Sequence, residues 1–489
     1  MTAEVLRQAI GLISPLYIVA GTLAGYLVGI IPGLGPAAGI TLLLPLTYYM
    51  SPAEALIFYA SLYQSAEYSG SITAIAVSTP GTPNAAATVL DGYAMNRQGR
   101  IGKAFAYSLW SAVFASLVGT AGMLVLGAPM ARLALYLGPS EYAALGILGL
   151  SCVSILSTDY PLRGLISAIL GLMLSTIGLD LLSGVPRFTF GIPSLFDGLP
   201  LVALLTGLFA LPEAIVLLTE KSAVLQLGTN GGDHRVWLRW REFTGVFPVM
   251  CLGTAIGFVM GLIPGLAGSV PPWISYNLAK SVSSERDRFG KGAAAGLVAP
   301  EATNAAVMHS TLLPAFSFGI PGTPTSAVIL GAMMLSGLTP GPMLFSRHPA
   351  IPYAVMISLF LATGFLWLVG LVATNVWTRI LTVPQELLAV AIVIFVIVGS
   401  YVARNDLFDP QLAVIAGIVG YCLKKAHFSA PALVVGFILG PIIETNIRRA
   451  LLLSGGLVSG LPGPVTTALL AGSLLMMAFG VRQSLSGSR

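Results

Sequence analysis

Long apolar runs alternate with short polar connections along nearly the whole chain, and most of the runs are about as long as a bilayer is thick. A helix needs roughly 20 apolar residues to cross the hydrocarbon core. Runs of that order fall at 9–31, 104–128, 141–157, 161–182, 199–219, 350–376, 387–403 and 461–480. The pattern predicts an all-α polytopic membrane protein with about 12 transmembrane or re-entrant helices. Two apolar stretches carry the same four-residue interruption, Pro80-Gly81-Thr82-Pro83 and Pro321-Gly322-Thr323-Pro324. Lipid tolerates a broken helix only where the freed backbone is buried in protein or lines a cavity. The breaks are therefore expected near the midplane, holding something.

Composition supports this class. The chain is 56% hydrophobic and 9% charged, whereas a soluble protein is about 25% charged. The first apolar run follows neither a basic patch nor an A-x-A cleavage site, so it is expected to be retained. Cys152, Cys251 and Cys422 lie in apolar segments, match no metal or redox spacing, and read as buried small hydrophobes.

The net charge of +5 does not point to nucleic acid, because the excess sits in a few loops. These hold Arg97, Arg100 and Lys103; Lys221, Arg235, Arg239 and Arg241; Lys280, Arg286, Arg288 and Lys291; and Lys424 with Lys425. The positive-inside rule places all four on the cytoplasmic side. The stretch 221–242 reads as a cytoplasmic linker between a first transmembrane repeat, 1–220, and a second, 243–489.

The two halves resemble each other. Gly29-Ile30-Ile31-Pro32-Gly33-Leu34 recurs as Gly261-Leu262-Ile263-Pro264-Gly265-Leu266. A lone acid comes next in each half, Glu67 and Glu301, then the P-G-T-P break, then Val89-Leu90-Asp91-Gly92 or Ile329-Leu330-Gly331-Ala332. Loops in matching positions carry opposite charge bias: Tyr49 to Glu54 has no Lys or Arg, whereas Lys280 to Lys291 has four. Equivalent loops then lie on opposite faces, which makes the repeats inverted, with broken helices meeting at the midplane.

In each break the second proline suits the first position of a new helix, with the preceding threonine as its N-cap. Two helix starts inside the membrane would present unpaired N–H groups to an anion. Thr79, Gly81, Thr82 and Asn84 are the expected lining on one side, and Gly322, Thr323, Thr325 and Ser326 on the other. Glu67, with Ser69 and Ser71, and Glu301, with Thr303 and Asn304, suit a coupling cation or a proton better than an anion. The plainer readings stay open: prolines that only kink a span, and carboxylates that only cap a helix. His309 reads as a packing residue. Glu213 and Glu444 read as interfacial charges, and Asp159, Asp180, Asp197, Asp406 and Asp409 as solvated. No metal site and no cofactor is expected beyond a coupling Na⁺ or H⁺.

These elements resemble the large membrane subunit of tripartite tricarboxylate transporters, the TctA family, from about residue 10 to 460. The likeness rests on Gly29 through Gly35, Ser69 through Ile72, the first break, Asp91-Gly92-Tyr93 and Arg187-Phe188-Thr189-Phe190-Gly191-Ile192-Pro193. It continues through Phe289-Gly290-Lys291-Gly292, Ala299-Pro300-Glu301-Ala302, Gly319 through Gly322, Gly440 through Glu444 and Leu451 through Gly456. Two departures are Ser69, where the family pattern has glycine, and Thr303, where it commonly has asparagine.

The resemblance implies a multi-pass permease of the bacterial inner membrane that imports a di- or tricarboxylate or related organic anion. It implies a small integral membrane subunit (TctB-like) and a periplasmic solute-binding protein (TctC-like) as partners, and a cation gradient as the energy source. The absence of a G-x-x-x-x-G-K-[ST] phosphate loop agrees with the last point. No hydrolase or metalloprotease signature argues for an enzyme. A stand-alone carboxylate carrier, or an anion channel, is the alternative.

Overall fold

The computed structural model describes residues 3–31, 33–156, 160–180, 183–219, 236–372, 384–454 and 463–486. Most of the linker, with Lys221 and Arg235, lies outside them, as do Pro32, Asp159, Gly455 and Gly456.

The first half contains α1 (Ala3–Gly11), α2 (Pro15–Ile30), α3 (Gly35–Leu43), α4 (Pro52–Val77), α5 (Thr88–Arg97), α6 (Ile101–Leu135), α7 (Pro139–Leu156), α8 (Pro161–Leu174) and α9 (Leu201–Thr219). The second contains α10 (Trp240–Gly261), α11 (Val270–Val282), α12 (Ala294–Phe318), α13 (Pro324–Leu335), α14 (Pro342–Arg347) and α15 (Ala350–Val372). It ends with α16 (Gln385–Arg404), α17 (Phe408–Lys425), α18 (Ala430–Leu453) and α19 (Pro464–Ser486). The all-helical expectation misses one detail: Gly178–Leu179 and Pro186–Arg187 pair as a short antiparallel hairpin between α8 and α9.

Among the described residues, 7 helices are long and apolar enough to span a membrane, or 8 if α1 and α2, bent by 65°, count as one broken span. Shorter apolar helices at Pro139–Ile155, Pro161–Leu174 and Pro324–Leu335 account for part of the difference from the twelve expected crossings. The protein is a polytopic membrane protein. Helices α4 and α12 are not among those spans although each exceeds 24 residues. They are rich in Ser, Thr, Asn, Gln and Glu and are buried along nearly their whole length. Polar helices at bilayer depth need such a sheath, and α6 packs along α12 while α15 packs along α4.

The two halves interlock reciprocally. Helix α9 packs on α16 and α17, and α18 packs on α7 and α8. In each half the helix that runs into the I-P-G-L motif lies against a polar helix through glycines spaced four apart. Gly21, Gly25 and Gly29 of α2 meet α4, and Gly253, Gly257 and Gly261 of α10 meet α12. A Cβ on Gly25 would collide with the Leu62 carbonyl oxygen, and one on Gly257 with that of Thr303. Small residues at this spacing let membrane helices touch backbone to backbone. Ser69 and Thr303, one per half, donate across these seams to the carbonyls of Gly25 and Gly253.

Helix α4 starts cleanly, with Pro52 in its first turn and Ser51 and Glu54 in a reciprocal capping box. Helix α12 is started from the other half. Asp91 of α5 accepts the backbone N–H groups of Gly290, Gly292 and Ala293 at 2.7–3.0 Å, and the Tyr276 hydroxyl at 3.0 Å. The basic loops converge here too. Lys103 pairs with Glu242 at 2.6 Å, Gln98 donates to the Lys291 carbonyl at 2.7 Å, and Arg100 donates to that of Gly292 at 3.0 Å.

Two minor expectations are corrected, for the aspartates and for two of the cysteines. Asp409 is fully buried against Arg404, and Asp180 is buried between Arg187 and Arg448, so neither is solvated. Glu444 joins the second cluster through both arginines, and Glu213 pairs with Lys424. Cys152 is buried, but Cys251 and Cys422 are exposed on apolar helices, where the outer surface suits lipid.

Candidate functional site

Both polar helices end in a left-handed residue two positions before the break: Ser78 (φ +59°) and Gly319 (φ +72°). The chain then crosses close to other backbone. The Gly81 N–H donates to the Gly70 carbonyl at 3.0 Å, and a Cβ there would run into the Gly29 carbonyl oxygen. At Gly322 a Cβ would run into the Thr311 hydroxyl. Space alone requires glycine at Gly81, where the obstacle is backbone, whereas at Gly322 the Thr311 side chain would have to move.

Beyond the breaks the two halves diverge. Thr323 caps α13: its hydroxyl accepts the Ser326 N–H at 3.1 Å, and the Ser326 hydroxyl accepts the Thr323 N–H at 2.9 Å. Thr82 makes no cap bond and opens only a short 3-10 turn, Pro83–Ala86, before α5 begins at Thr88. The expected pair of matched helix starts is therefore met at the second break and not at the first. The reason is local. The position reciprocating Thr323 is Ser326, whereas the one after Thr82 is Ala85, which has no hydroxyl to complete the box.

The breaks converge on successive turns of one face of α4. Tyr63 reaches the second: its hydroxyl lies 3.2 Å from that of Thr323, with Thr325 beside it. One turn on, Glu67 faces the first, with Thr82, Asn84 and the Asn304 side chain of α12 around its carboxyl. Thr82, Asn304 and Asn84 are placed to donate to this carboxyl, but its Oε2 receives no hydrogen bond. Asn304 Nδ2 instead donates to the Glu67 main-chain carbonyl at 3.4 Å.

Glu301 is saturated. Its Oε1 accepts from Ser71 at 2.7 Å and from Thr88, and its Oε2 from Ser108 at 2.5 Å. Helices α4, α5 and α6 thus each send a hydroxyl to one carboxylate on α12. The two acids also stand at different distances from the recurring break. Glu67 stands thirteen residues before Pro80, but Glu301 stands twenty before Pro321. Neither takes part in an ion pair among the described residues.

Other candidates sit apart from the two carboxyls. Thr79 is exposed and donates weakly to the Val77 carbonyl. Ser69 and Thr303 face the glycine seams rather than Glu67 or Glu301. Residues that sequence pattern alone does not single out complete the site: Tyr63, Gln64 and Ser108, with His309 in the wall. A cavity of about 10 Å³ lies between α4, α6 and α12, lined by Gln64, Glu67, Asn304, His309 and their neighbours, including Glu301. That is room for one water-sized occupant and far too little for a carboxylate substrate. Helical spacing was the available signal, since Tyr63 and Gln64 precede Glu67 by four and three residues. Among the described residues no group of three or more His, Cys, Asp or Glu side chains is placed to hold a metal ion.

Comparison with known proteins gives a consistent identity. The family model described as the tripartite tricarboxylate transporter TctA family matches residues 16–435. A protein of Agrobacterium vitis, named as an uncharacterized 52.8 kDa protein in the TAR-I ttuC′ 3′ region, is 34% identical over 473 residues, 96% of this chain and 93% of its own length. A second A. vitis protein, from the TAR-II ttuC′ 3′ region, is 32% identical over 234 residues, 48% of this chain and 97% of its own. With the family match covering most of a polytopic chain whose two membrane breaks meet at one buried face, this protein belongs to the TctA family of tripartite tricarboxylate transporters.

Proposed function

We propose that this chain is the large permease subunit of a binding-protein-dependent secondary transporter, importing a di- or tricarboxylate or related organic anion across the bacterial inner membrane. The observation that carries the reading is the meeting of both P-G-T-P breaks on the Tyr63–Glu67 face of α4. An anion held there would meet the capped start of α13, with Gly322, Thr323, Thr325 and Ser326, on one side. Gly81, Thr82 and Asn84 would lie on the other, with Thr79 at its rim. Import against a gradient requires a coupling cation, for which the buried acids Glu67 and Glu301 and the polar groups around them are the candidates.

The division into two repeats, 1–220 and 243–489, joined by a cytoplasmic linker at 221–242, is part of this proposal, and so is their inverted orientation. It is supported by the recurring glycine seams, by the matched left-handed helix ends, and by the contacts that join the Arg97–Lys103 loop to Glu242 and to Lys291 and Gly292. Cysteines placed at exposed Ser51 and Ser284 should then react with an impermeant reagent from opposite sides of the membrane. Reaction from one side would rule the inversion out. A small TctB-like membrane subunit and a TctC-like periplasmic binding protein are the proposed partners.

The direct test is uptake of a labelled carboxylate panel into proteoliposomes holding this chain and its small subunit, with and without the binding protein, under an imposed Na⁺ or H⁺ gradient. Uptake only with the binding protein supports the tripartite carrier. Uptake without it means a self-sufficient carrier. Flux that neither saturates nor follows the gradient means a channel.

A further inference from the structure

We infer that the small cavity beside Glu67 is a site for one desolvated alkali cation of the size of Na⁺, held by oxygens of Glu67, Gln64 and Asn304, and that Glu301 is not a ligand. The inference rests on the carrier reading above and assigns its coupling ion to one of two acids. Four buried atoms of residues lining the cavity accept nothing from the protein: Glu67 Oε2, Gln64 Oε1, Asn304 Oδ1 and His309 Nε2. All four residues are at least nine-tenths buried.

Their orientation is fixed by neighbours that can only accept. Thr363 gives its proton to the Leu359 carbonyl at 2.7 Å, so the Gln64 group 2.6 Å from its oxygen must be the NH₂, leaving Oε1 free. The Asn304 NH₂ faces the Glu67 carbonyl, leaving Oδ1. The His309 ring nitrogen 2.7 Å from the Ala305 carbonyl must carry the proton, leaving Nε2 with a bare lone pair.

A cavity walled by lone pairs discriminates among occupants. A water has two protons and can serve two of the four acceptors. A proton on Glu67 would make one donor and leave at least two acceptors unserved, each at a cost of about 1–3 kcal/mol. A hard cation attracts them all at once, and oxygen ligands are what such ions take. The hydroxyls of Tyr68 and Ser116, also in the wall, can turn a lone pair inward. The volume of about 10 Å³ admits an ion without its water shell. Glu301 also borders the cavity, but its oxygens already accept three hydroxyl bonds.

The test is direct binding of ²²Na⁺ to the full-length purified chain in lipid nanodiscs, with choline chloride holding ionic strength constant. The wild type should bind saturably, near one ion per chain. Glu67→Gln should weaken binding at least about tenfold, the scale of losing a metal-site group, and Gln64→Leu should weaken it in the same direction. Glu301→Gln, which removes a charge near the cavity but no ligand, should weaken binding clearly less than Glu67→Gln does while lowering thermal stability. Should Glu67→Gln not fold, Gln64→Leu, which keeps the carboxylate, decides.

Absent saturable binding to the wild type, or wild-type affinity in both cavity variants, overturns the site. Loss on Glu301→Gln alone moves it to the other acid. Stabilisation by lowering pH in choline, with no response to Na⁺, replaces the ion by a proton. Because binding is read without uptake, a negative result here leaves carboxylate transport standing, and a failed uptake panel leaves this site standing.

Discussion

Glu67 and Glu301 are the same residue type, both buried beside one cavity, each on a polar helix that ends in the same break, yet their surroundings are opposite. Three hydroxyls from three helices close on Glu301, while Glu67 keeps an oxygen that nothing in the protein serves. A carboxylate saturated by its own protein is a structural tie. One left open against a small cavity has capacity for something else. The seven-residue offset between them, measured from each break, says the same from the sequence side. The recurring motifs thus match in sequence while the surroundings of the two carboxyls differ.

The largest effect should come from Glu301→Leu. It leaves the Ser71, Thr88 and Ser108 hydroxyls buried beside an apolar side chain, and hydrogen bonds to a charged group contribute about 1.5–3 kcal/mol each. Little folded protein should survive size-exclusion chromatography; a wild-type melting profile would mean Glu301 is no tie. Glu67→Gln should split stability from function: a melting temperature near wild type, with gradient-driven accumulation down at least about tenfold and exchange at equal concentrations retained. Equal loss of both fluxes would assign Glu67 to the substrate instead.

Asp91→Asn keeps the shape but turns an NH₂ or a single carbonyl toward three amide donors. It should cost about 2 kcal/mol, read as a lower melting temperature with uptake per folded molecule unchanged. The smallest effects sharpen the comparison of the two breaks. Ser326→Ala should cost about 1 kcal/mol by opening the cap on α13, and Ala85→Ser should gain no more than that by supplying the missing half at the first. If Ala85→Ser is neutral and uptake falls, the open cap at Thr82 serves transport rather than being a defect.

The repetition, the breaks and the two acids were legible in the sequence because each is a local pattern that recurs. The glycine seams were equally visible, at a spacing of four, but sat in apolar stretches where glycine is common. Partnership could not be read. Asp91 stands about two hundred residues from the amides it accepts, and nothing near it marks them. Gln64 looks like one more polar residue of α4 until Thr363, from the other half, fixes which way its amide points. Asp180 and Asp409 lie in or near short connections, the usual home of solvated charge. Arg187 and Arg404 stand close by in sequence, but their pairing, and the approach of Arg448 to Asp180, are set by the fold.

Asp91 carries a consequence for how the chain is made. The ribosome delivers this carboxylate long before Gly290, Gly292 and Ala293 emerge, so the acceptor precedes its donors by about two hundred residues. The second half, expressed by itself, would bring bare amides to the head of α12. The first half in that sense supplies the cap that the start of α12 lacks within its own half.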